Sequence, residues 1–246
     1  MSEALRPLAF GPAGWGDELL AGLWLTLRLA LAALPIGLAI GLAAALLKDA
    51  RSAVARALGE TYTTVFRGLP ELLTIFLVYY GAPRLISGAI ALGERLAGRP
   101  PSGFVAGIDA FAAGVIALSL VFGAFASETL LGAMRGVPAG QREAAESLGL
   151  SRAATFRLVL LPQIWRLALP GLANGWLVLL KDTSLVSVIA LSDLMRVSDV
   201  AARATREPFL FYLVACLLYL ALSAASGFVA RRLEAHAGRG VARATA

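Results

Sequence analysis

The chain has 246 residues, of which 59% are hydrophobic and only 15% charged, with a mean hydropathy of +0.77 and a net charge of +6. Ordinary soluble chains carry about 45–50% apolar and about 25% charged residues. This balance therefore excludes a disordered segment and a soluble globular domain, and the single Cys excludes a disulfide scaffold. On so apolar a chain, the positive charge points to a membrane surface rather than to nucleic acid.

A bilayer core about 30 Å thick needs about 20 helical residues to cross it. Five stretches qualify in chain order. Residues 1–19 form an external tail, followed by spans over residues 20–47, 61–83, 110–127, 167–192 and 208–230. Arg28 lies near the start of the first and is expected to snorkel outward. The second carries Arg67 and Glu71, and the fourth carries Lys181 and Asp182. Residues 128–166 form the longest connection, and 231–246 a basic tail. The runs do not alternate as β-barrel strands do, so the fold class is an all-α membrane protein. With the N-terminus outside and the C-terminus cytoplasmic, the inner segments hold twelve Lys and Arg residues, Arg239 and Arg243 among them, and the outer segments seven. The positive-inside rule favours that orientation.

Nothing in the chain marks an enzyme. It has no Gly-rich phosphate loop, no His/Cys metal cluster and no Ser/His/Asp set, so no cofactor or metal is expected in this chain. The first stretch is too long for a secretory signal. Cys216 reads as packing, His236 as a solvated tail residue, and Trp24, Trp165 and Trp176 as interface or packing aromatics.

The long connection is more specific. Pro138 and Gly140 break the preceding helix, and Gln141 to Leu148 is helix-favouring. Gly149 is suited to end that helix, Ser151 to cap a second, and Pro162 to bend the chain before the fourth span. Two short helices joined by a Gly turn are expected, a shape that a soluble partner can grip. Glu143, Ala144, Ala145, Gly149, Val159, Leu161 and Pro162 follow the spacing E-A-A-x-x-x-G-x9-I-x-L-P, with Val159 in place of Ile. This resembles the EAA loop of permease subunits from bacterial ABC importers. The resemblance implies that the loop helix docks on a cytoplasmic ATPase and transmits its closure to the spans.

The likeness extends along the chain. Gly22 to Leu27, Arg67-Gly68-Leu69-Pro70, Lys181-Asp182-Thr183-Ser184-Leu185 and Glu207-Pro208-Phe209 resemble segments of the polar amino-acid permeases. The subunits for histidine/lysine/arginine/ornithine and for octopine/nopaline are the most similar in kind. The resemblance implies a MetI-like fold with five spans in the bacterial inner membrane. It also implies a second permease subunit (related or identical), an ATPase dimer carrying ATP and Mg, and an extracytoplasmic substrate-binding protein. An ion-coupled secondary amino-acid transporter is the alternative function. Such transporters commonly show paired internal repeats, which are not evident here.

Charges inside a bilayer cost about 2.5–3.5 kcal/mol on insertion scales, so the four in the second and fourth spans require partners or a function. Arg67 and Glu71 stand at i and i+4, which on one continuous helix makes an ion pair. Lys181 and Asp182 are adjacent and diverge by about 100°. Glu71 precedes Pro83 by about 18 Å of helix, and Lys181 follows Leu167 by about 21 Å, so both fall near mid-membrane. Transporter sites are commonly built at this depth. Glu71, Asp182, Lys181 and Arg67 are the candidate substrate residues, the carboxylates serving an amine and a cationic side chain and Lys181 a carboxylate. By the resemblance, an acid at the Glu71 position is typical of basic amino-acid permeases. Glu128 and Arg135 are expected to form an anchor or salt bridge at the inner face, with a gating contact as the alternative.

Overall fold

A computed structural model of the chain describes residues 3–12, 14–100 and 102–238. Arg239 and Arg243, counted above with the inner basic residues, lie outside the described residues. A short 3-10 turn, Glu3–Leu8, leads into α1 (Gly16–Lys48) and α2 (Ala53–Gly68). Then come α3 (Glu71–Leu96), α4 (Ala110–Gly136), α5 (Ala139–Ser147), α6 (Arg152–Ile189), α7 (Leu194–Thr205) and α8 (Pro208–Ala237). Among the described residues there is no strand, and five helices are long and apolar enough to cross a membrane: α1, α3, α4, α6 and α8.

The helix bounds depart from the sequence expectation at three prolines, Pro70, Pro83 and Pro162. The stretch 61–83 is not one helix. Leu69 (ψ 140°) and Pro70 (ψ 135°) are extended, which separates α2 from α3. Proline disfavours helical backbone in the residue before it and offers no N–H of its own. Conversely, Pro83 and Pro162 interrupt nothing. Each follows a wider π-turn, Leu77–Gly81 and Thr155–Leu160 respectively. The extra residue in such a turn makes room for the ring and relieves the ladder of a bond that proline cannot make. So α3 continues to Leu96, and the second short helix expected at Ser151 is instead the first turns of α6. Ser151 does cap it, accepting from the Ala154 N–H at 3.3 Å.

The core forms where α1, α4 and α6 meet. Leu29 packs by Gly114, Gly37 by Ser119 and Phe122, and Gly41 by Gly123 and Ser127, so α1 and α4 run parallel. The closeness comes from small residues: a Cβ on Gly37 would stand 2.6 Å from Phe122 Cδ1. Close packing of this kind holds helices together where lipid removes the hydrophobic drive. Helix α6 runs the other way, with Gly171 against Thr129, Gly175 against Phe122 and Val186 over Gly114. A second cluster around Leu19, Leu194, Ala201 and Phe211 ties α1, α7 and α8 together at the opposite end from α5.

Candidate functional site

A cavity of about 410 Å³ opens between α3, α4 and α6. Its walls are mostly apolar, with Phe122 and Phe125 from α4 and Leu172 and Val178 from α6. Glu71, Glu128, Thr129, Asn174 and Asp182 are the polar groups lining it. Glu71 arrives there because the Leu69–Pro70 break starts α3 at that point, and its carboxylate sits at the electropositive start of a helix. Broken helices ending at a cavity are how transporters commonly build their sites. Asp182 shares the cavity wall with Leu118, about 12 Å along α4 from its start.

Lys181 does not join them. It lines a separate cavity of about 270 Å³ with Ser184, Tyr212 and Tyr219, on the other side of α6. The 100° step between adjacent helical residues separates it from Asp182. Of the four candidate residues, the structure therefore brings Glu71 and Asp182 to one cavity and turns Lys181 away.

Arg67 does not line the cavity but touches Glu128 and Phe125, which do, and the expected Arg67–Glu71 pair is not formed. The helix break between them removes the i,i+4 geometry on which that pair depended. Instead Arg67 Nη1 donates to Glu128 Oε1 at 2.9 Å, and its guanidinium lies 5.5 Å from the centre of the Phe125 ring. Lys48 Nζ, at the end of α1, donates to the same Glu128 oxygen at 2.6 Å. Lys48 is only 7% exposed and also contacts Thr63 Oγ1 at 3.5 Å. Glu128 is thus neutralised by two cations from α1 and α2, and the expected partner Arg135 is exposed elsewhere on α4. Nor does α4 end at Glu128; it runs eight residues further, to Gly136.

The loop that carries Glu143, Ala144 and Ala145 folds as a knob. Helix α5 ends in a Schellman arrangement: the Leu150 N–H donates to the Ala145 carbonyl at 3.2 Å and the Gly149 N–H to that of Glu146 at 3.0 Å. Gly149 takes φ +81°, the left-handed conformation that glycine adopts without strain. Ala145 is buried against α6, while Glu143, Ala144 and Gly149 are exposed and Leu148 is 83% exposed. Leu161 and Pro162 are both exposed in the early turns of α6. A leucine held out on a rigid turn beside a glutamate gives the knob both an apolar and a charged contact.

Comparison with known proteins decides what this architecture is. Residues 37–239 match the binding-protein-dependent transport system inner membrane component family. The chain belongs to that family. It is 39% identical over 239 residues to the octopine transport system permease protein OccQ of Rhizobium meliloti, covering 97% of this chain and 98% of that one. It is 40% identical over 220 residues to the arginine ABC transporter permease protein ArtQ of Escherichia coli K12, covering 87% and 92%. Among solved structures, an amino acid ABC transporter crystallised with histidines aligns with TM-score 0.74 at 30% identity, over 90% of this chain and 95% of that one. The MetNI methionine ABC transporter shares the fold, with TM-score 0.69 at 18% identity over 97% and 100%.

The permease is therefore an inner-membrane transport subunit, and its family implies a separate ATPase and a substrate-binding protein as partners. The matches support an ABC permease and not the ion-coupled alternative. Reading the permease from sequence missed Lys48, Tyr62, Phe125 and Leu148. One signal for Lys48 was present: the chain has only two lysines among its 22 basic residues. Tyr62 gave none, since its hydroxyl donates to the Leu120 carbonyl 58 residues away, at 2.7 Å.

Proposed function

We propose that this permease carries amino acids or opines bearing a cationic group into the cell, and that Glu71 and Asp182 receive that group. The observation behind this reading is the convergence of two carboxylates from different helices in one mostly apolar cavity, with the nearby Glu128 already neutralised. Two acidic walls in a low-dielectric pocket favour a cation and disfavour an anion of the same size. Relatives named for octopine and arginine fit the same preference.

Glu143, Ala144, Ala145 and Gly149, with Leu161 and Pro162 in the early turns of α6, form the ATPase-coupling surface in this reading. The α5 end of the bundle then faces the cytoplasm, where Lys48, Arg51, Arg56, Arg142, Arg152 and Arg157 gather. ATP and Mg stay on the ATPase. A second permease subunit, related or identical, completes the path, because five spans are too few to enclose one alone.

Uptake of labelled arginine by cells expressing the permease with its ATPase and binding protein tests the reading. Glu71→Leu and Asp182→Asn are each expected to cut uptake about tenfold, the loss of one charged contact. Full arginine uptake by Glu71→Leu sinks the proposal.

A further inference from the structure

Glu128 borders the cavity and joins three helices through one oxygen, and its two cationic partners are held very differently. Lys48 is buried, closes α1 and keeps a second contact with Thr63. Its helix is fixed against α4 by the glycine packing described above. Arg67 is 44% exposed and sits in the last turn of α2. Beyond it lie Gly68, with open space where a side chain would go, and the extended Leu69–Pro70 link. That link leads directly to Glu71 in the cavity wall. An exposed arm next to an extended link has fewer neighbours to hold it than the buried Lys48, so it is the weaker of the two contacts.

We propose that the Arg67–Glu128 contact is a releasable latch that sets the position of Glu71 in the cavity. Closed, it holds the last turn of α2 against α4, with the guanidinium resting on Phe125. Released, it frees that turn and the Leu69–Pro70 link, and Glu71 moves with them, while Lys48 keeps Glu128 from being left unpaired. A cationic solute group in the cavity competes with Arg67 for Glu128, since one carboxylate oxygen is already shared by two donors. Release therefore couples occupancy of the cavity to movement of α2, which packs at Gly59 against Ala44 and Lys48 near the α5 end of the bundle. This inference rests on the reading of the cavity as the path of a cationic solute.

The test uses the whole complex (permease, ATPase and binding protein) in lipid nanodiscs, with ATP hydrolysis measured with and without arginine-loaded binding protein. Arg67→Gln and Glu128→Gln are expected to raise unstimulated hydrolysis about three- to fivefold, the upper end of what an exposed ion pair supplies, and to lower the stimulation ratio correspondingly. Arg67→Lys, which keeps the charge, is expected to restore most of the ratio. A purely structural contact would instead lower the thermal midpoint and leave the unstimulated rate unchanged or reduced. A second arm places cysteines at 67 and 128 in a Cys216→Ser background and bridges them with a reducible bifunctional reagent. Bridging is expected to stop arginine uptake, and reductant to restore it. Wild-type rates and ratio in Arg67→Gln, or full uptake by the bridged complex, overturn the latch. If arginine fails to stimulate the wild-type complex, the substrate reading fails, and the unstimulated rates still decide the latch.

Discussion

Gly41 on α1 meets the backbone of Gly123 on α4 so closely that a Cβ on Gly41 would stand 2.9 Å from the Gly123 carbonyl oxygen. The same Cβ would also lie 3.0 Å from the Ala126 Cβ. Neither neighbour is the end of a flexible side chain, so neither can yield without moving a helix. Gly41→Ala is expected to cost about 1–3 kcal/mol by overpacking, and Gly41→Leu to prevent a monodisperse fold. Gly132 has nothing within 4 Å of its added Cβ, so Gly132→Ala serves as the control and is expected to be neutral or slightly stabilising. Thermal midpoints and size-exclusion profiles in detergent compare the three.

Lys48 and Glu128 give a stability prediction separate from the latch. Lys48→Met removes a part-buried charge-assisted hydrogen bond of 2.6 Å, while Arg67 still partially compensates Glu128. A loss of about 1.5–3 kcal/mol is expected. Glu128→Gln added to Lys48→Met should recover part of it, because the part-buried carboxylate that lost one of its two cations is then neutral. A double-mutant cycle read by thermal unfolding in detergent checks both, and strict additivity would argue against direct contact.

The knob invites a test that separates folding from docking. Leu148 is 83% exposed, so Leu148→Glu is expected to leave the thermal midpoint of the isolated permease unchanged and to weaken capture of the ATPase at least about tenfold. Gly149→Val forces a branched side chain into φ +81° and is expected to cost about 1–2 kcal/mol locally, misplacing Leu148. Co-purification of the ATPase at graded salt distinguishes the two, since only Gly149→Val should also lower helicity at the knob.

Asp193 links stability to pH. It caps α7, accepting from the Arg196 N–H at 3.0 Å, yet it is fully buried and its Oδ2 has no partner among the described residues. Burial pushes its carboxyl up to about 6, against a smaller lowering by hydrogen bonds from the α7 backbone and by Arg196. Above the unfolded value near 3.8 the unfolded chain loses a proton that the folded chain keeps. Stability should therefore fall as pH rises through that window and level off above about 6. The expected loss between about pH 5 and pH 7 is on the order of 1 kcal/mol. Asp193→Asn keeps the cap acceptor and removes the titration, so its thermal midpoint should be flatter over the same range.

Much of this protein was readable in its residues because the deciding interactions are local. A span needs only a run of apolar side chains, since a helix satisfies its own backbone in lipid. The knob needs only Pro138, Gly149 and Ser151 at their spacings. The proline effects were readable only in part: Pro70 breaks its helix, while Pro83 and Pro162 are absorbed by π-turns that composition does not announce.

Which charge meets which was decided by packing. Glu128 finds Arg67 across 61 residues and Lys48 across 80, distances that only the crossing of α1, α2 and α4 can close. Nearest neighbours in the chain parted instead: Lys181 and Asp182 look into different cavities, and Arg67 is cut off from Glu71 by two extended residues. Hydropathy and helix-breaking act over a few residues and survive in one dimension. Charge pairing in a bilayer acts through space, so it exists only after the helices have chosen their partners.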